Sequence, residues 1–143
     1  MALTKDYDPK KVTITVGGHE VKGIADGTFL TVNRNNQTWS LASGASGEHA
    51  RSKSNDRSGT FELTLMQTSE TNDFLSGKMV ADEATNSGKF LVHVFDANGA
   101  TLVKTDDAWV QQPPSVEYGK ELSDRVWTIE SGDITFVTIG GIT

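Results

Sequence analysis

The chain has 143 residues, 36% of them hydrophobic, and its 13 basic and 19 acidic side chains give a net charge of -6. This length fits one domain with its own core, and the acidic balance argues against general nucleic-acid affinity, which needs Lys and Arg on phosphates. The lack of cysteine excludes disulfides and thiolate metal sites. No apolar run is long enough for a membrane helix, and the N-terminus carries no signal-peptide pattern, so folding in a cytoplasm is expected.

Taken in order, the sequence reads as short strands joined by turns. Val12, Ile14 and Val16 alternate with Thr13 and Thr15 as in a half-buried strand, and Gly17-Gly18 supplies a tight turn. Strands are predicted over 20–24, 28–34 and 37–41, with turns at Asp26-Gly27 and Asn35-Asn36. Phe61, Leu63 and Leu65 then alternate with Glu62 and Thr64. A helix is predicted over 69–84, capped by Ser69, with Phe74, Leu75 and Met79 on one narrow apolar face. Lys89 to Phe95 is the most apolar strand, with Phe90, Leu91, Val92, Val94 and Phe95 covering both faces, and is predicted to be central. Strand pieces follow over 100–104 and 108–111, Pro113-Pro114 stops pairing, and a last hairpin spans 124–130 and 134–139. Trp39, Trp109 and Trp127 each fall inside a strand pattern and are expected in the core. No repeat, linker or second domain is visible, so 1–143 reads as one mainly β domain with one flanking helix.

One segment breaks the pattern. From Ala42 to Thr60 there is no apolar side chain larger than alanine, although strand-like segments flank it. A polar loop this long inside a compact domain is uncommon and is usually functional or disordered. It carries Arg51, Lys53 and Arg57 against Glu48 and Asp56, which leaves ten basic and seventeen acidic residues elsewhere. A solvated loop with compensating charges is the bland explanation. Docking onto an acidic surface of an identical subunit is the functional one, and the length and the contrast of sign favour it.

Catalytic and metal motifs do not survive inspection. His19, His49 and His93 share no chelating spacing. Asp106-Asp107 and the Asp6/Asp8 pair have no nearby nucleophile or base, and Asp96-Ala-Asn-Gly99 lacks the later ligands of a calcium loop. Ser43 to Gly47 fits neither a nucleophile elbow nor a phosphate loop. No cofactor is implied. An enzyme is therefore not expected, and a monomeric glycan-binding sandwich stays open as a rival.

Several stretches in order resemble the small tail tube proteins of contractile-tailed bacteriophages. They are Asp6-Tyr-Asp-Pro9 before Val-x-Ile-x-Val-Gly-Gly, Ile24-Ala-Asp-Gly-Thr-Phe29 running to Arg34, Gly47-Glu48 with Arg51, and Phe61 through Asp73. Ala108-Trp-Val110 with Pro113-Pro114, Arg125-Val-Trp127, and Phe136 to Gly141 complete the set. Membership would imply a β-sandwich or barrel-like tail tube fold with a flanking helix. Six copies would close a ring and share an inner β-barrel, and rings would stack into a hollow tube inside a contractile sheath. The tail sheath protein, baseplate and tail-terminator proteins would be partners. The tape measure protein and then DNA would occupy the bore without specific binding, no membrane would be involved, and the virion tail would be assembled in the host cytoplasm. The loop over 41–58 would contact the next ring, which makes Gly47, Glu48, Arg51, Lys53, Asp56 and Arg57 the candidate contact residues. Thr13, Thr15, Glu62 and Thr64, on the polar side of alternating strands, are the candidates for facing the bore. Type VI secretion systems and R-type pyocins use related folds, so such a tube is the alternative.

Overall fold

The computed structural model describes residues 4–142, a mainly β protein of ten strands and one helix among those residues. A 3-10 turn at Pro9–Lys11 opens it, its first turn capped by the Asp8 carboxylate, which accepts from the Lys10 amide at 3.0 Å. The strands are β1 (Val12–Val16), β2 (His19–Glu20), β3 (Leu30–Arg34), β4 (Trp39–Ser43), β5 (His49–Lys53) and β6 (Gly59–Leu65). After the helix α1 (Thr71–Thr85) come β7 (Phe90–Asp96), β8 (Thr101–Gln112), β9 (Arg125–Ser131) and β10 (Thr135–Thr138).

Eight strands form one antiparallel sheet in the order β2-β1-β7-β8-β9-β6-β3, with β10 also on β8. Strand β8 joins the two halves. Its first part, Thr101 to Thr105, pairs with β7, and residues 102–104 pair with β10 on the other edge. Its second part, from Ala108 to Gln112, pairs with β9. The predicted pieces over 100–104 and 108–111 are thus one strand, interrupted by an irregularity in the β7 register around Asp106-Asp107. The predicted last hairpin does not form. Strands β9 and β10 do not pair with each other; both run antiparallel to β8, one after the other along the same edge.

The sheet curls around one apolar cluster. Ile14, Val16, Val92 and Val94 come from the β1–β7 half, and Phe61, Leu63, Trp127 and Ile129 from the β6–β9 half. Alternation explains membership: Phe61, Leu63 and Leu65 are at most 1% exposed, whereas Glu62 between them is exposed. Strand β7 obeys the same rule. Phe90, Val92 and Val94 point inward, but Leu91, His93 and Phe95 point out, so only one of its faces is covered. Two local constraints set the corners. Gly17 and Gly18 have φ of 57° and 84°, the left-handed conformations that the β1–β2 turn needs. A Cβ at Gly59 would collide with the Asn33 carbonyl and the Ile134 side chain, so β6 can start there only as glycine.

Helix α1 closes one side of the core through Leu75 and Thr71, both fully buried. Ser69 lies one residue outside the helix cap. Its hydroxyl donates to the Lys22 carbonyl and accepts from the Thr71 amide at 3.2 Å, so it still satisfies an orphan donor of the first turn. Asn86, at φ 56°, ends the helix. Trp127 donates its indole N–H to the Asn72 side chain at 2.8 Å, tying β9 to the helix. The predicted strand over 20–24 shrinks to β2, because Gly23 adopts φ 69° and turns the chain away.

Candidate assembly surfaces

The segment over 41–58, expected to be a long loop, is largely a β-hairpin. Strands β4 and β5 pair with each other alone, in register from Trp39 with Lys53 to Ser43 with His49. All ten of their residues are exposed. The tip is a tight turn: Gly44 donates to the Glu48 carbonyl at 2.8 Å, and Gly47 sits at φ 85°. Its two faces differ in chemistry. Trp39, Leu41, Arg51 and Lys53 share one face, where the Arg51 guanidinium lies over the Trp39 ring at 3.9 Å. Ser40, Ala42, Ala50 and Ser52 share the other, which is flat and small. Trp39, expected in the core, is 44% exposed here, whereas Trp127 is buried.

The six candidate contact residues divide into three groups. Gly47 and Glu48 form the tip, and Arg51 and Lys53 lie on the Trp39 face. Asp56 and Arg57 sit at the root instead, where Asp56 ties the two legs of the hairpin together and Arg57 binds the protein's own body. Arg57 pairs with Asp133 at 3.1 Å and donates to the Thr135 hydroxyl at 2.9 Å. Asp56 accepts from the Ser58 amide at 3.0 Å and from the Asn36 side chain at 2.5 Å. Hydrogen bonds from the Ser58 side chain and amide, and then from Asn36, hold the Asp56 carboxyl below the usual carboxylate range. Trp39 and Leu41 were missing from the candidates. Their signal was present, since Trp39 and Leu41 alternate with Ser40 and Ala42 just before the polar stretch.

The four candidate bore-facing residues all point away from the core, but on different halves of the sheet. Thr13 and Thr15 lie on β1, opposite Phe95 and His93 of β7. Glu62 and Thr64 lie on β6, opposite Thr128 and Val126 of β9. Strands β7, β8 and β9 separate the two pairs. Around Glu62 and Thr64 the outer face is mostly polar, with Thr31, Asn33, Thr60, Thr128 and Glu130. Around Thr13 and Thr15 it carries exposed Leu91 and Phe95.

Unpaired strand borders complete the surface. Among the described residues, strand β3 pairs only with β6, and β10 only with β8. Arg34 spans the ends of these two strands: it donates to the Ile134 carbonyl at 2.8 Å and stacks over Phe136 at 5.1 Å, and its Nε is buried without a partner among the described residues. The histidines are dispersed, with His19 stacked on Phe74, His49 bonded to Ser43 and His93 on the outer face of β7. Among the described residues, no cluster of three His, Cys, Asp or Glu has the geometry to hold a metal ion.

Comparison with known proteins gives this surface a context. No protein-family model matches the chain. It is 27% identical over 141 residues to structural protein ORF10 of Pseudomonas phage KPP10, a match that covers 93% of this chain and 82% of that one. Its fold is similar to a chain in the anti-feeding prophage cap, which terminates a tube (TM-score 0.67, 13% identity, 97% and 95% of the two chains). It is also similar to chains in the sheath/tube terminator of the extracellular contractile injection system PVC (0.61, 11%, 96% and 100%) and in the PVC sheath-tube complex (0.59, 9%, 96% and 95%). The chain is homologous to a phage structural protein and has a fold found in contractile injection systems, and these relatives are structural proteins, not enzymes.

Proposed function

We propose that this chain is a building block of the inner tube of a contractile phage tail, which assembles by binding copies of itself. The observation that carries this reading is the hairpin over 39–53, a regular element without a buried residue. A lone two-stranded hairpin is marginal in water, so one that projects from a well-packed body is best explained by a partner that covers it. The homologous phage structural protein and the shared fold support the setting. Rings, six copies each, would close through the open borders of β3 and β10, and the hairpin would hold one ring on the next. In this arrangement the polar half around Glu62 and Thr64 faces the bore, where its threonines and acids let DNA pass without gripping phosphates. The opposite half, with Leu91 and Phe95 beside Thr13 and Thr15, is left for neighbouring subunits or the sheath. Assembly would take place in the host cytoplasm.

The likeness to a cap and a terminator favours a second reading, in which the chain forms a single ring at the tube end. Negative-stain microscopy of the purified protein separates the two. Long hollow rods are expected for a tube subunit, and discrete rings would mark an end-piece. A monomer at every concentration would overturn both. Replacing residues 39–53 with a short glycine-rich turn is expected to leave a folded protein that forms no long rods.

A further inference from the structure

The end of the body opposite the hairpin carries a cleft of about 680 Å³. Tyr7, Ile24, Phe29 and Met66 give it apolar walls, and Asp26 and Asp124 are also in its lining. Its position follows from the strands. Phe29 immediately precedes β3, Met66 immediately follows β6, and Asp124 immediately precedes β9. The hairpin leaves the body at the other end of the same strands, after Arg34 and before Gly59. At about 3.4 Å per residue, the seven residues of β6 separate hairpin from cleft by roughly 20 Å.

The two ends match in chemistry. The hairpin face offers Trp39 and Leu41 with Arg51 and Lys53; the cleft offers apolar walls with two aspartates. Among the described residues, none of these four charged side chains is in a salt bridge. Asp26 and Asp124 are both exposed.

Resting on the self-assembly reading above, we propose that the cleft lined by Tyr7, Ile24, Phe29 and Met66 is the receptor for the hairpin of a second copy, with Asp26 and Asp124 pairing with Arg51 and Lys53. Trp39 and Leu41 fill the apolar part. Knob and socket lie at opposite ends of one body, so the contact is heterologous: each copy that is bound presents a fresh knob or socket, and growth continues along the strand direction. Charge steers the approach, and burial of the apolar pair holds it. This gives a role to the exposed parts of the Asp6-to-Pro9 and Ile24-to-Phe29 stretches, of which Ala25 is buried and Ile24 and Phe29 also pack against the core.

Charge reversal tests the pairing. Wild-type protein is expected to form sedimentable rods, and Asp26→Lys with Asp124→Lys, or Arg51→Glu with Lys53→Glu, is expected to abolish them. The variant with all four changes is expected to recover them. Because the chain has no cysteine, Leu41→Cys and Met66→Cys proteins can also be mixed and oxidised, and a disulfide-linked pair is expected only between the two types. If wild type forms rods while either reversed pair does so equally well, or if no cross-link forms, the receptor is wrong and the self-assembly reading stands. If wild type forms neither rods nor rings, the failure lies in that reading, and the receptor falls with it.

Discussion

Strands β5 and β6 are separated by only five residues and obey opposite rules. In β6 every second side chain is buried, from Gly59 to Leu65, between neighbours on both edges. In β5 nothing is buried, and its one neighbour is β4. The contrast teaches that strand formation and core formation are separable. Hydrophobic alternation specifies the body, whereas the hairpin is held by a tight tip, one cation–π contact and a pinned root. Its surface is therefore free to be selected for what it binds.

Perturbing each region should expose the difference. The largest effect is expected from Phe61→Ala, which opens a cavity between the halves and should cost about 3–5 kcal/mol in a denaturant titration. Next is Ser131→Ala. The Ser131 hydroxyl is fully buried, bonds to Thr105 Oγ1 at 2.6 Å and accepts from the Asp133 amide at 3.2 Å. Its loss leaves buried groups unsatisfied and should cost about 1–3 kcal/mol. Trp39→Ala should lower body stability by no more than about 0.5 kcal/mol, because it removes only surface contacts. The same change should shorten rods measured by microscopy, and normal rods would separate Trp39 from assembly.

The smallest effect concerns pH. The Asp56 carboxyl is held low in the folded state, so its contribution is present above the ordinary carboxylate pKa and is lost as pH falls through its own lowered value. The hairpin root is expected to loosen only on acidification below the usual carboxylate range, read as a change in Trp39 fluorescence. Asp56→Asn should remove that transition, and an unchanged titration would dissociate Asp56 from it.

The body was legible because its strands are wet on one side and dry on the other. Val12 to Val16, Phe61 to Leu65 and the helix around Leu75 all emerge near their observed places for this reason. Strand β5 was illegible by the same logic: His49, Ala50, Arg51, Ser52 and Lys53 have no burial to encode, so periodicity is silent. The last hairpin was misread because sequence shows strand spacing but not partners, and β9 and β10 both choose β8 over each other. Leu91 and Phe95 misled in a different way. A continuous apolar run reads as a strand covered twice, and here its second face is open to solvent. Of the contact candidates, the charges of Arg51 and Lys53 were visible in the sequence. The diversion of Asp56 and Arg57 into the root depends on Asn36, Asp133 and Thr135, which lie 20 to 78 residues away.

That root has a geometric consequence. Arg57 ties the hairpin to the body at Asp133 and Thr135, and Asp56 ties its two legs together at Asn36, so these contacts bear on the angle at which the hairpin leaves the body. In any stack joined through it, the rotation from one copy to the next would be dictated by this joint. Substitutions at Arg57 or Asp133 would then change the pitch of the superstructure while leaving the gripping surface intact.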